Sequence, residues 1–344
     1  MKNILLTLAA VALVGCVGEE YSSEDTPRNN FEVLWQLMDE HYCFFPYKQE
    51  QLGVDWDEVH ERYAQQTDAA MSDYELFEVL CNMLAELKDG HVNLGAAHDL
   101  GRNWSFREDY ADNFDTELAE SYLGTGKDYA IASSLYYTIL DDNIGYVRLE
   151  SFSDALGDGN IAIVLYALQA CQGLILDVRD NSGGSLTHAH TLAEHFTNEK
   201  TLVGYTSHKT GTGHEDLSEP EPQYIEPGSS VRWQKPAVVL TNRACYSATN
   251  EFVKCVREFP LITLLGDTTG GGSGMPFTQE IPNGWTLRYS AVIHYDARMQ
   301  HTEFGIPPDT VVTLDSLDVL RGEDTLIEAA RTLIHTAAGS EAAD

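Results

Sequence analysis

Positive charge is what this 344-residue sequence has least of. Its 21 Lys and Arg stand against 54 Asp and Glu, a formal net charge of −33. A surface this acidic repels phosphate backbones and anionic head groups, so nucleic-acid binding is the first class of function to go. The six cysteines form no CxxC pair and no zinc-type spacing, which removes thioredoxin-like redox and zinc-finger readings. The glycine pair at 183–184 lacks the Lys-Ser/Thr that completes a P-loop, so nucleotide binding is disfavoured. No apolar run reaches the roughly 20 residues of a transmembrane helix, and no internal repeat is visible. What is present is a 43% hydrophobic composition. At this length it can bury one large domain with a smaller companion, or two ordinary ones.

The first fifteen residues read as a targeting segment. Lys2 is followed by the apolar run Ile4 to Val14 and then Leu13-Val14-Gly15-Cys16. This resembles a bacterial lipobox, which implies cleavage before Cys16 and lipidation of its sulfur. Residues 16–30, with Glu19, Glu20, Glu24 and Asp25, read as a flexible acidic tether. The acidic stretch also resembles the surface-export signal of Bacteroidetes-type lipoproteins. The expectation is a cell-envelope lipoprotein at the outer membrane, held to the membrane through Cys16. Export permits disulfides, and Cys43 with Cys81 is the pair that could form one.

Residues 31–95 read as a helical domain. Phe31, Leu34, Leu37 and Met38 fall at helical spacing. Ser72 with Glu75 is a capping-box signature. Leu76, Phe77, Leu80, Met83, Leu84 and Leu87 form one apolar stripe, and Gly90 is the expected stop. Residues 96–138 are weakly periodic and read as a connector. From 139 to 338 the texture is α/β, with 339–344 as a tail. Strands are expected at 143–149, 173–178, 237–240, 261–265, 285–294 and 310–314. Helices are expected at 160–170, 185–196, 248–258 and 324–335. Strands alternating with helices imply βαβ units around a parallel sheet. Residues 207–235, rich in Gly, Glu, Pro and Ser, read as a long surface excursion.

Three segments carry chemistry. In Asp177-Val178-Arg179-Asp180-Asn181-Ser182-Gly183-Gly184-Ser185, a buried strand turns through two glycines towards a helix. That geometry directs backbone N–H groups at an anion, which can be the oxyanion of an acyl-transfer intermediate. It also suits a plain glycine turn with Ser185 as N-cap. In Thr241 to Phe252, a second buried strand leads into a helix with Ser247 at its start. The helix dipole would stabilise negative charge there, and the Ala248 N–H could complete an oxyanion hole. Ser is equally a favoured N-cap, so this segment alone leaves nucleophile and cap both open. Cys245, two residues upstream, reads as packing. In Lys88-Asp89-Gly90-His91-Val92-Asn93-Leu94, His91 follows a helix end, where it could serve a serine nucleophile as base.

In order along the chain, DGHVNL (89–94), NIGYVRLESF (143–152), LILDVRDNSGG (174–184), LTNRACYSATNEF (240–252) with LLGDTTGGGSG (264–274), and FGIPPDTVV (304–312) resemble the tail-specific, or C-terminal-processing, serine peptidases. Within them the chain is similar to the tricorn-type branch. The resemblance implies a ClpP/crotonase-like βαβ catalytic core behind a small helical domain. It also implies a serine endopeptidase acting on peptide or protein substrates through an acyl-enzyme, with no metal or cofactor. It puts Ser247 at the nucleophile position and places the oxyanion hole at Gly183 or Gly184 with the Ala248 N–H. Many members use a Lys after the glycine-rich segment as base, but the last Lys of this chain is Lys254. The tricorn-type branch uses a His, here His91, and a Glu before the GI-x-PD strand, here Glu303, in a position to orient it. Two departures stand out. Gly90 replaces the Ser that often precedes the base, and about 45 residues between Leu94 and Leu140 leave no room for the usual PDZ domain. Two other readings use the same fold, a capture protein for peptide or hydrophobic ligands and an acyl esterase.

Overall fold

In a computed structural model of the chain, the structure is described for residues 21–102, 110–124 and 129–341. Four helices come first: α1 (Pro27–His41), α2 (Phe45–Leu52), α3 (Trp56–Ala64) and α4 (Asp73–Ala85). α1 begins four residues before the expected start. Thr26 caps it with its side chain, and Pro27 supplies the preset φ of a first helical turn. The end of the supposed tether is folded onto it: the Tyr21 hydroxyl donates to Glu40, and the Asn29 amide donates to the Ser22 and Glu24 carbonyls. The capping box of Ser72 and Glu75 is present in both directions at α4. That helix ends at Ala85 and not at Gly90; Leu87 stays buried in the turns that follow.

The chain then runs through β1 (Asn93–Gly95), β2 (Leu100–Arg102), α5 (Thr116–Leu123), β3 (Ala130–Ala132), β4 (Leu135–Ile139), β5 (Ile144–Leu149), α6 (Asp158–Leu168), β6 (Gly173–Asp177) and α7 (Leu186–Ala193). It continues with β7 (Thr201–His208), β8 (Glu221–Ile225), β9 (Ala237–Thr241), α8 (Ala248–Val256), β10 (Ile262–Gly266), β11 (Gly274–Glu280), β12 (Thr286–Tyr295), β13 (Thr310–Val311), α9 (Ser316–Arg321) and α10 (Thr325–Glu341). Two sheets result. One has the order β13-β10-β9-β6-β5-β4-β3, parallel from β13 to β5 and antiparallel at β4 and β3. The other, wholly antiparallel, has the order β2-β1-β12-β7-β8 with β11 also on β12.

The parallel strands are covered on both faces, which is why GLILDV is apolar without alternation. Leu174 and Leu176 face α6, α7 and α8, while Ile175 faces Leu326, Ile327, Ala330 and Ile334 of α10. The buried Arg179 fastens the two together. It bridges Asp177 at 2.6 Å and Asp324 at 3.0 Å and donates to the Asn113 carbonyl. The acidic groups of the 177–180 segment therefore go to architecture.

The expected boundary between a helical domain and an α/β domain is not where the cores divide. Helices α1, α3 and α4 share one apolar core with Ile281, Trp285, Leu287, Tyr289, Ile293 and Tyr295. The antiparallel sheet thus belongs with the helices, although most of its strands lie beyond residue 200. The supposed surface excursion, 207–235, contains the end of β7 and all of β8. The connector supplies β2, α5, β3 and β4 rather than a separate domain. Cys43 and Cys81 are free thiols and do not pair.

Candidate active site

The hydroxyl of Ser247 is presented by a strained turn. β9 leads through residues 242–246 to Ser247, whose φ of 57° and ψ of −119° lie where non-glycine residues rarely go. Its backbone N–H donates to the Gly271 carbonyl at 2.9 Å, and its own carbonyl accepts from Glu251 N–H at 2.9 Å. The side chain makes no cap bond to the helix. Of the two readings open for this serine, the N-cap hydrogen bond is thus absent. Its Oγ lies 3.0 Å from His91 Nε2.

His91 arrives from the turn between α4 and β1. Asp89 shapes that turn by accepting from the His91 backbone N–H at 2.7 Å, while its other oxygen accepts from the buried Tyr42 hydroxyl at 2.7 Å. The ring packs against Tyr246 at 5.0 Å between centroids, tilted by 61°. Burial pushes the imidazole from its usual 6.5 down to about 4, with the Asp89 charge opposing and Arg288 and Lys48 assisting. The side chain is therefore neutral at neutral pH and can accept a proton.

Glu303 is close by but not where the family resemblance puts it. It makes no described hydrogen bond to the imidazole, and His91 Nδ1 has no partner among the described residues. The Glu303 carboxylate instead accepts from Lys48 Nζ at 3.0 Å and from Ser273 N–H at 2.9 Å. Burial and the Asp89 charge raise it to about 7 against the pull of Lys48. Lys48 and Asp89 are the residues that sequence reasoning missed. Asp89 was within the quoted motif, but Lys48 gave no signal, because a lysine on a short helix normally reads as solvated.

Gly183 and Gly184 come from the loop after β6. A Cβ on Gly183 would meet the Tyr246 carbonyl at 2.6 Å and Ala248 N at 2.9 Å, so only glycine lets this loop approach the Ser247 turn. Its N–H is already used, donating to Asn181 Oδ1 at 2.9 Å. No described acceptor takes the N–H of Gly184 or of Ala248, the latter at the first position of α8. Gly184 and Ala248, rather than Gly183, have donors to offer. Cys245 is buried, donates to the Val178 carbonyl, and has its thiol pushed up to about 12 chiefly by burial. It is inert packing.

Two cavities of about 320 Å³ meet at Ser247, Gly184 and Arg288. One is walled by His91, Asn93, Leu100 and Arg102; the other by Leu186, Thr187, Met275 and Pro276, with Glu251 and His294 at its base. Below the second, His190, Glu251 and Cys255 bring ligand-type atoms within 4.8 Å of one another. The Lys254 ammonium, 2.9 Å from the same carboxylate, already neutralises it and opposes a cation there.

The chain and its fold have close counterparts. The peptidase family S41 model matches residues 143–312, and the tricorn protease C1 domain model matches residues 23–85. A crystal structure of a candidate peptidase from Parabacteroides merdae superposes with a TM-score of 0.86 at 49% identity, covering 90% of this chain and 97% of that one. The chain belongs to peptidase family S41. Among curated S41 relatives, the carboxyl-terminal-processing protease of Synechocystis is 30% identical over 182 residues, 50% of this chain and 40% of that protein. The carboxy-terminal processing protease CtpA of Bacillus subtilis is 26% identical over 167 residues, 48% of this chain and 34% of that protein. The chain thus spans well under half the length of these S41 proteins.

Proposed function

We propose that this S41 member is a serine peptidase that cleaves peptide bonds through an acyl-enzyme, with Ser247 as nucleophile and His91 as general base. The 3.0 Å contact between Ser247 Oγ and the neutral His91 Nε2 carries this reading. In it, the imidazole takes the hydroxyl proton as Oγ attacks the scissile carbonyl. The N–H groups of Gly184 and Ala248 receive the oxyanion, aided by the positive end of α8. The imidazolium, steadied by the Asp89 charge, returns the proton to the leaving amine. Water then enters, and the same nitrogen activates it to release the acyl group. Glu303 acts at one remove, by holding the Ser273 loop and Lys48 in place. A fluorophosphonate probe is expected to label the native protein and not Ser247→Ala; labelling that persists in the variant would remove Ser247 from the role.

The pH dependence follows from burial. Because the His91 pKa is lowered to about 4, the base stays neutral as pH falls through 6.5. The acid limb of kcat/KM should therefore lie well under 6.5. A limb at the ordinary histidine value would contradict the neutral, buried base. Stability has two opposed contributions in the same range. Between 6.5 and about 4 the unfolded chain takes a proton at His91 that the folded chain refuses, so stability is lost as pH falls there. Glu303, raised from 4.5 to about 7, works the other way, since the folded state is protonated first.

The same reading includes a lipid anchor on Cys16, supported by the apolar run and the small residue before it; Cys16 and residues 1–20 lie outside the described structure. No described helix is long and apolar enough to cross a membrane. Mass spectrometry of the native protein should find a diacylglyceryl group on Cys16 that Cys16→Ser lacks. An unmodified Cys16 in membrane-expressed protein would dismiss the anchor.

A further inference from the structure

One guanidinium at the active site, that of Arg288, has no acid to pair with among the described residues. Arg288 is exposed on β12 and pairs there through its backbone, while its guanidinium makes no hydrogen bond or ion pair among the described residues. In a chain with 54 acidic and 21 basic residues, most basic side chains are drawn into ion pairs or carbonyl contacts. Arg288 lies directly across from Asn93 in the β1–β12 ladder, and Asn93 lies directly across from Arg102 in the β1–β2 ladder. Residues opposite one another in a ladder share a face. Arg102, Asn93 and Arg288 therefore form a row on one face, and all three wall the cavity that holds His91 and Ser247. Among the described residues, that cavity is lined by no Asp or Glu. Its neighbour across Ser247 has Glu251 at its base, held ionised because Lys254 and His190 outweigh the cost of burial.

Which side of the scissile bond this cavity serves follows from the proton's path, and so rests on the peptidase reading above. The imidazole that takes the Ser247 proton must hand it to the departing amine. The leaving segment therefore lies on the imidazole's side, in the cavity walled by His91, Asn93, Arg102 and Arg288. The acyl portion lies in the Glu251 cavity. A guanidinium fork binds a carboxylate through two parallel N–H···O bonds, and the absence of acidic groups from the described lining lets this cavity draw one in against the acidic surface around it.

We infer that Arg288, with Arg102 beside it, is a carboxylate-binding subsite that selects peptides whose leaving segment carries a negative group close to the scissile bond. Two sources share that chemistry, the α-carboxylate of a peptide's own C-terminus and an Asp or Glu side chain. The first would let the chain recognise a peptide end without a PDZ domain.

The test uses peptides identical on the acyl side. Their leaving segments end in a free carboxylate, in an amide, or in an amide with Glu or Gln inside the segment. The free acid, or the Glu peptide, should be cleaved with a kcat/KM roughly 10–100-fold above its neutral partner, the size of a charge-assisted pair. Acid over amide identifies a chain end; Glu over Gln identifies a side chain. Arg288→Gln should bring the favoured ratio close to one, and Arg288→Lys should retain part of it. Turnover with ratios of one in the native protein overturns the subsite and leaves the peptidase reading intact. If neither fluorophosphonate labelling nor turnover occurs, the peptidase reading fails. Binding of the same acid and amide peptides to Ser247→Ala then decides the subsite by itself, and equal affinities overturn it.

Discussion

Ser247→Ala and His91→Ala are each expected to lower kcat for peptide cleavage by roughly 10⁴- to 10⁶-fold, and the double variant by no more than the worse single one. The two groups act as a unit: without the imidazole the hydroxyl stays protonated, and without the hydroxyl the imidazole has no proton to take. Their separation of 3.0 Å is what makes them one device. A residual rate above the uncatalysed reaction should survive in each variant, because the N–H groups of Gly184 and Ala248 still receive the oxyanion. Steady-state kinetics on one peptide, with the three variants side by side, checks this. Additive losses, with the double variant far slower than either single, would mean that the residues contribute separately. The folded state should be untouched in Ser247→Ala, since its side chain makes no cap bond to α8.

Lys48→Met is expected to cost about 3–5 kcal/mol of folding stability, the range for removing one partner of a buried ion pair. Lys48 Nζ is fully buried, 3.0 Å from Glu303 and over the Phe304 ring at 4.3 Å. Without it the Glu303 carboxylate keeps only its contacts to Ser273 and faces Asp89 unopposed. The carboxyl should then remain protonated to higher pH than the present value of about 7. The loss should deepen as pH rises from 7 to 9, since ionising Glu303 becomes costlier. Lys48→Met combined with Glu303→Gln should recover much of the loss, because no uncompensated charge remains. Urea unfolding of the four proteins at two pH values measures the coupling. A single Lys48→Met variant as stable as the native chain would show that the pair contributes little to folding.

The parts of this protein legible in its sequence are those where one local signal decides. The Ser72–Glu75 box needs only a three-residue spacing. GLILDV needs only to be a short, unbroken apolar run between turns. The β9–turn–α8 segment likewise announced a serine at a helix start. What was hidden depends on contacts between distant residues. β8 reads as part of an excursion because its segment is rich in Gly, Glu, Pro and Ser, and only its pairing with β7, itself paired with β12, makes it a sheet strand. Thr26-Pro27 was a start signal overlooked among acidic residues. Glu303 was placed in the right neighbourhood, but its partner is Lys48, 255 positions away in sequence. No periodicity can supply that pairing.

The apolar core that α1, α3 and α4 share with β12 bears on the order of events during synthesis. Phe31 and Leu34 wait for Leu287, Ile293 and Tyr295 before they are enclosed. Glu303, which ties down the loop beside the nucleophile, emerges later still. Nearly nine-tenths of the polypeptide must therefore leave the ribosome before the first lobe can close. A partly made chain would hold its histidine and serine on unfinished surfaces, so a growing or truncated product has no completed cutting edge with which to damage its surroundings.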